Sequence, residues 1–158
     1  MLIESRPALD PELAALVTAQ RLENGRDCAV FAPGDATAYL VAVVAGRAVG
    51  CAAWRPMGPG VAELMRMFVR PAFRGRGIAR QLIVAIEEEA LAAGRPVIHL
   101  GTGGCLLAAI ALYQSSGYHQ IPAYGEYAGN PYSVCFSKRL AALAHPTAPP
   151  PPLTGLKT

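Results

Sequence analysis

The stretch Arg70–Ile83, RPAFRGRGIARQLI, runs four arginines and two glycines into the start of a helix. A helix N-terminus is already the positive end of the backbone dipole, and Asp, Glu, Ser or Thr ordinarily stand there. Arginines at that place are a cost unless an anion sits among them. Gly75 and Gly77 let the backbone approach a ligand closely, and the unpaired N–H groups of a first helical turn point at it. The chemistry that fits is binding of a phosphate compound. No Gly-Lys-Ser/Thr follows, so this is not a Walker loop, and no first-strand G-x-G-x-x-G with its downstream acid marks a dinucleotide site. A solvated basic face is the plain alternative, but it leaves the glycines without a use. A nucleic-acid patch would want interleaved aromatics and a recognition helix, which the stretch lacks.

A second unusual segment is Ile121–Lys138, IPAYGEYAGNPYSVCFSK, where Tyr124, Tyr127 and Tyr132 crowd a Gly/Pro-rich loop together with Glu126. Aromatic rings beside a carboxylate suit a small, partly apolar amine, although the same rings could merely cover a sheet or form a dimer contact. Other chemistry finds little support. The four cysteines and three histidines are scattered without metal-ligand spacing, so no metal site is expected. The N-terminus MLIESRPALDPELAAL has no basic start followed by an apolar run, and no segment approaches the ~18 apolar residues of a membrane span. Those observations together point to a cytoplasmic protein with reduced thiols and no membrane partner. The net charge of +3 is too mild to argue for nucleic acid, but Arg66, Arg70, Arg74, Arg76 and Arg80 concentrate five of the fourteen basic side chains in fifteen residues.

The elements that must position these groups are legible in order. At 158 residues, 53% hydrophobic and 16% charged, the chain suits one globular domain. We expect that domain over residues 1–144, with the Pro-rich 145–158, HPTAPPPPLTGLKT, as an extended or disordered tail. MLIESRP reads as a strand, and DPELAALVTAQRLENG as a helix capped by Asp10, with Pro11 at its first position and Gly25 as its stop. Two apolar runs meet at Ala45-Gly46-Arg47 as a hairpin, and VAELMRMFVRP is a further strand closed by Pro71. Ile78, Leu82, Ile86 and Ala90 repeat at helical steps, and Gly94 stops that helix. PVIHLGTG, LLAAIALYQSSG, YHQI and YSVCFSKRL follow as strand, helix, strand and strand. The order β-α-β-β-β-α-β-α-β-β is that of an α/β fold, a mixed central sheet flanked by helices, with a parallel pair across the long helix. Trp54, Met57, Met65 and Met67 read as core, and His99 and His119 as structural.

Arg74-x-x-Gly77-x-Ala79 resembles the R/Q-x-x-G-x-G/A signature of the GNAT superfamily of acyl-CoA-dependent N-acyltransferases, and it follows a strand, MFVRP, as it does there. AIALYQSSGY, Ala109–Tyr118, is similar to the family's A-I-x-L-Y-x-x-x-G-F/Y segment. Strand order and helix positions match the family's from the first strand to about Leu140, so the resemblance covers nearly the whole expected domain. The resemblance implies a GNAT fold and acetyl transfer from acetyl-CoA to a primary amine, such as a small amine or an amino acid, by direct attack in a ternary complex. It leaves open a CoA-sensing module, a protein lysine or N-terminal acetyltransferase, and a homodimer.

The same resemblance implies roles. Backbone N–H groups of Gly75, Arg76, Gly77, Ile78, Ala79 and Arg80 would hold the CoA pyrophosphate, with Arg74 adding charge. Main-chain groups of Met67, Phe68 and Val69 would pair with the pantetheine arm, and one N–H would polarise the thioester carbonyl. Tyr113 would protonate the leaving thiolate, and Glu63 would take the amine's proton directly or through water. By simple strand alternation Glu63 shares a face with Met65, Met67 and Val69 unless a bulge intervenes. Glu63 could instead pair with Arg66, and Tyr113 could be plain packing. The acceptor pocket would draw on Arg66, Tyr124, Glu126 and Tyr127, with Arg66 placed to hold a carboxylate. Leu106 stands where many relatives have Asn, so one hydrogen bond to the pantetheine is not expected.

Overall fold

The computed structural model describes residues 1–24 and 36–141. The helix stop at Gly25, Cys28, the last three residues of the expected domain (142–144) and the Pro-rich 145–158 lie outside the described residues. The elements are β1 (Leu2–Arg6), α1 (Pro11–Asn24), β2 (Ala38–Val44), β3 (Arg47–Pro56), β4 (Val61–Val69), α2 (Ile78–Ala92), β5 (Val97–Gly103), α3 (Leu107–Ser115), β6 (His119–Ile121) and β7 (Ser133–Arg139). This is the order read from the sequence. Local chemistry accounts for the boundaries. The Asp10 carboxylate accepts the Leu13 N–H at 3.0 Å, capping α1. Ala45 and Gly46 both take positive φ, the backbone of a tight hairpin turn.

The strands form one sheet in the order β1-β2-β3-β4-β5-β7-β6. Every neighbouring pair is antiparallel except β4 and β5, which run parallel as the long intervening helix requires. One face carries α2 and α3, over a core that includes Leu40, Leu64, Val69, Leu82, Ile86, Ile98 and Phe136. The opposite face carries α1, whose Leu13 and Leu16 pack with Val41, Cys51 and Phe68.

Two irregularities in β4 set up the site. Gly50 and Cys51 pair with Val69 and Phe68, yet Ala53 pairs with Met65, so Arg66 and Met67 together oppose Ala52. Arg66 takes φ +56°, a bulge conformation uncommon for a side-chain-bearing residue. The extra residue reverses the alternation. Glu63 and Met65 therefore share the α1 face with Phe68, while Met67 and Val69 belong to the α2 face, which corrects the unbroken alternation as a guide to Glu63. The second irregularity is a parting of strands. β4 pairs with β5 only from Val61–Glu63 to Val97–His99, whereas β3 follows β4 to Val69 and β7 follows β5 to Gly103. Beyond Glu63 and His99 the two strands are no longer paired, and the sheet splits into a cleft between them.

Candidate active site: a cleft between diverging strands

At the far end of β4 the chain turns through Pro71–Phe73 into α2. Gly75 and Gly77 take φ +77° and +78°, which L side chains rarely adopt, and a Cβ built on either would meet nothing within 4 Å. The helix begins at Gly77 with no side-chain cap. The N–H groups of Gly75, Arg76, Gly77, Ile78, Ala79 and Arg80 donate to no acceptor among the described residues, and the first satisfied amide is that of Gln81, bonded to the Gly77 carbonyl at 3.1 Å. Six orphan donors over open space at a helix N-terminus are a seat for an anion.

The arginines divide by role. Arg76 lies over the Phe73 ring at 5.1 Å, and Arg80 reaches the Ser115 hydroxyl at 2.9 Å, bridging α2 to α3. Neither has a carboxylate partner among the described residues. Arg74 differs from the expectation. Its guanidinium meets the Glu23 carboxylate at 2.6 Å, donates to the Val69 carbonyl at 2.9 Å and covers the Phe68 ring. It braces the β4–α2 turn against α1, with its charge largely neutralised by Glu23.

Along the cleft, the Met67 carbonyl accepts from the Gln20 amide at 2.8 Å, so α1 holds the bulged strand from behind. Phe68 and Val69 are both buried. On the α2 face, Tyr113 of α3 is 5% exposed, against Tyr118 at 6.0 Å and Phe136 at 6.5 Å between ring centres. Burial pushes its phenol well above the ordinary range, so it holds its proton at neutral pH. Leu106 precedes α3 and makes no side-chain cap.

The α1 face of the same cleft is polar. Glu63, 1% exposed, receives Arg55 Nη2 at 2.8 Å and Nε at 3.0 Å on one oxygen, and the Tyr124 hydroxyl at 2.9 Å on the other. Arg55 is its cross-strand partner on β3, and His99 its neighbour on β5. The Tyr124 ring lies 5.4 Å from His99 and 5.5 Å, edge to face, from Tyr127. Burial, and then the Glu63 charge, push both phenols up, so they too stay protonated. Tyr127 lies on Gly101, where a Cβ would stand 2.5 Å from its ring.

The structure brings Glu63, Tyr124 and Tyr127 together, with two differences from the sequence reading. The cation on Glu63 is Arg55, not Arg66. The Arg66 charge is instead felt by Tyr39 and Cys51, farther along the same face. Glu126 is exposed in the loop turn Gly125–Gly129, and its charge reaches Tyr127. Arg55 and Gly101 escaped sequence reasoning. Counting outward from the turn between Pro56 and Val61 would have set Arg55 opposite Glu63, whereas nothing local marks Gly101 as the seat of a ring. His99, read as structural, borders the site, and its Nδ1 is buried without a partner. No group of three or more metal-ligating side chains comes together among the described residues.

An uncapped helix turn thus stands at the head of a split between two parallel strands, and comparison with known proteins places the chain in a family. Residues 7–118 match the model of the Acetyltransferase (GNAT) family. The chain is 40% identical over 103 residues to IAA acetyltransferase of Azospirillum brasilense, covering 65% of this chain and 67% of that one. A structure described as a putative acyl-CoA N-acyltransferase from Klebsiella pneumoniae superposes with a TM-score of 0.81 at 30% identity, over 89% of this chain and 97% of that one. An aminoglycoside 6'-N-acetyltransferase complexed with coenzyme A shares the fold at a TM-score of 0.71 and 18% identity, over 90% and 98% of the two chains. Against human N-acetylaspartate synthetase, 34% identical over 103 residues, the match takes in 65% of this chain but spans only 34% of the relative's length. The chain belongs to the GNAT acetyltransferase family, and it is an acyltransferase.

Proposed function

We propose that the protein moves an acetyl group from acetyl-CoA to the primary amine of a small molecule, an amine or an amino acid, by direct attack in a ternary complex. The observation that carries this reading is the row of six uncapped amides at Gly75–Arg80, at the head of the cleft that Glu63, Tyr124 and Tyr127 face from the other side of the sheet. Those amides would hold the donor's pyrophosphate, with Arg76 and Arg80 adding positive potential. The unpaired edge of β4 beyond Glu63 would take the pantetheine as an added strand, through Met67, Phe68 and Val69.

An aliphatic amine is mostly protonated near pH 7 and must lose that proton to attack. The neutral nitrogen then forms its bond to the thioester carbon, the carbon–sulfur bond breaks, and Tyr113 gives its proton to the departing thiolate. The proton the nitrogen sheds on becoming an amide returns through solvent to the phenolate. Since a thiol leaves well, loss of Tyr113 slows turnover without abolishing it. Glu63 enters as the group that orders the acceptor side and takes the amine's proton, directly or through water, on the oxygen that bears only the Tyr124 hydroxyl. The three described cysteines, Cys51, Cys105 and Cys135, are unpaired, which suits a reducing cytoplasm.

Calorimetry with acetyl-CoA, followed by free-thiol detection across a panel of amines, tests the reading. Binding tighter than millimolar and amine-dependent thiol release are expected. Tight binding with release only on peptides would move the acceptor to proteins, and no binding would end the reading.

A further inference from the structure

Gly101 stands two residues beyond His99, the last β5 residue paired with β4, on the face that carries Glu63. It is therefore on the β5 wall of the cleft, just past the point where the strands part. A side chain there is replaced by the Tyr127 ring, with three of its carbons 2.5–2.6 Å from where a Cβ would be. The ring is pinned from the side by Tyr124 at 5.5 Å. Tyr124 is pinned by Glu63, and Glu63 by Arg55. Contacts from β3, β4 and β5 thus fix one ring over the narrow end of the opening, on the side opposite α2. The ring thus borders the opening on the side from which an acceptor would meet a thioester delivered from the α2 side.

Resting on the acetyl-transfer reading above, we infer that Tyr127, seated on Gly101, sets the upper size of the acceptor. The preferred class is then a primary amine on an unbranched methylene carbon, ahead of α-branched and ring-bearing amines, which narrows the amino-acid option to glycine or a side-chain amine. Arg55 and Glu63 are positioning residues for this gate, acting through Tyr124. Removing the ring leaves a phenol-sized space beside Gly101, and placing a methyl at Gly101 evicts the ring.

The experiment compares the parent protein with Tyr127→Ala and Gly101→Ala, measuring thiol release on unbranched, α-branched and ring-bearing primary amines. Tyr127→Ala should raise kcat/KM for the bulky amines relative to the unbranched ones by about tenfold or more, the scale on which apolar pockets discriminate size. Gly101→Ala should move the ratio the same way, and the KM for acetyl-CoA should stay within about twofold of the parent in both. Acetyl-CoA affinity by calorimetry certifies the fold, and Tyr127→Leu replaces the alanine variant if that one fails to fold. A size ranking unchanged in folded variants overturns the gate while leaving acetyl transfer intact. Thiol release by the parent on no amine at all overturns both.

Discussion

Glu63 shows how much one buried carboxylate can organise. With Arg55 donating twice to one oxygen and Tyr124 once to the other, three of its roughly four lone-pair sites are taken, and the Tyr124-bonded oxygen keeps one. Glu63→Gln keeps the shape but leaves Arg55 without its counter-charge. Half a broken buried pair costs about 1–3 kcal/mol here, at the low end of such cases because Arg55 keeps 31% of its side chain in solvent. The expected outcome is a lower melting temperature and a higher acceptor KM, with the acetyl-CoA KM unchanged; a parent-like acceptor KM would remove Glu63 from the acceptor side. His99 carries a pH dependence. Burial holds its imidazole below the ordinary 6.5, with His119 pushing the same way and Glu63 opposing. Above pH 6.5 the neutral ring suits the folded site. As the pH falls through the folded-state value, the unfolded chain binds the extra proton more readily and stability is lost. Asp10 and Glu12 are also held low, but from ordinary values of 3.8 and 4.5, so their loss comes at more acid pH. Urea unfolding of His99→Asn should be flatter than the parent between pH 7.5 and 5; an equally steep dependence would place the titrating group elsewhere.

Among the elements, the first turn of α2 is the proposed seat of the donor. Its Arg-rich sequence is a poor cap for a helix, and with six orphan amides beside it the turn fits the proposed anion as its stabilising partner. Gly77 at φ +78° has open space around it, so Gly77→Val adds backbone strain of about 1–2 kcal/mol and places methyls where the anion would lie. Acetyl-CoA affinity should fall tenfold or more, about 1.4 kcal/mol per decade, as read by calorimetry. Arg74→Ala should act differently. It frees Glu23 and the Val69 carbonyl, so weaker CoA binding would come with a looser β4–α2 turn, seen as a lower melting temperature.

Across the whole molecule, the sheet is a frame with one deliberate gap. β3 holds β4 and β7 holds β5, so the two halves are each well paired while the strands between them separate. α1 steadies the β4 half through Gln20 and Glu23, and Lys138 of β7 meets Glu87 of α2 at 2.9 Å to tie the other half to the helix layer. A ligand that fills the gap binds only the folded state. At a concentration of 100 times its Kd, acetyl-CoA should add about 2.7 kcal/mol, which for a chain of this size raises the melting temperature by about 5–10 °C. Gly77→Val should show little of that rise at the same concentration, and a full rise would place the donor elsewhere.

The amino-acid sequence by itself determined the order of elements and the Gly-rich turn into α2, because helical and strand periods, Asp10, the glycines and the Arg74–Ala79 signature are all local signals. It also marked Glu63 and the tyrosine loop as the place to look for an acceptor. Only the tertiary structure decided how those groups meet. A single extra residue at Arg66 moved Met67 and Val69 to the face opposite Glu63, and strand pairing chose Arg55 over Arg66 as its cation. Chain segments 51 residues apart joined Arg74 to Glu23, and Gly101 lost a side chain's space to Tyr127. These outcomes depend on register and on contacts between distant segments, which no short stretch of sequence encodes.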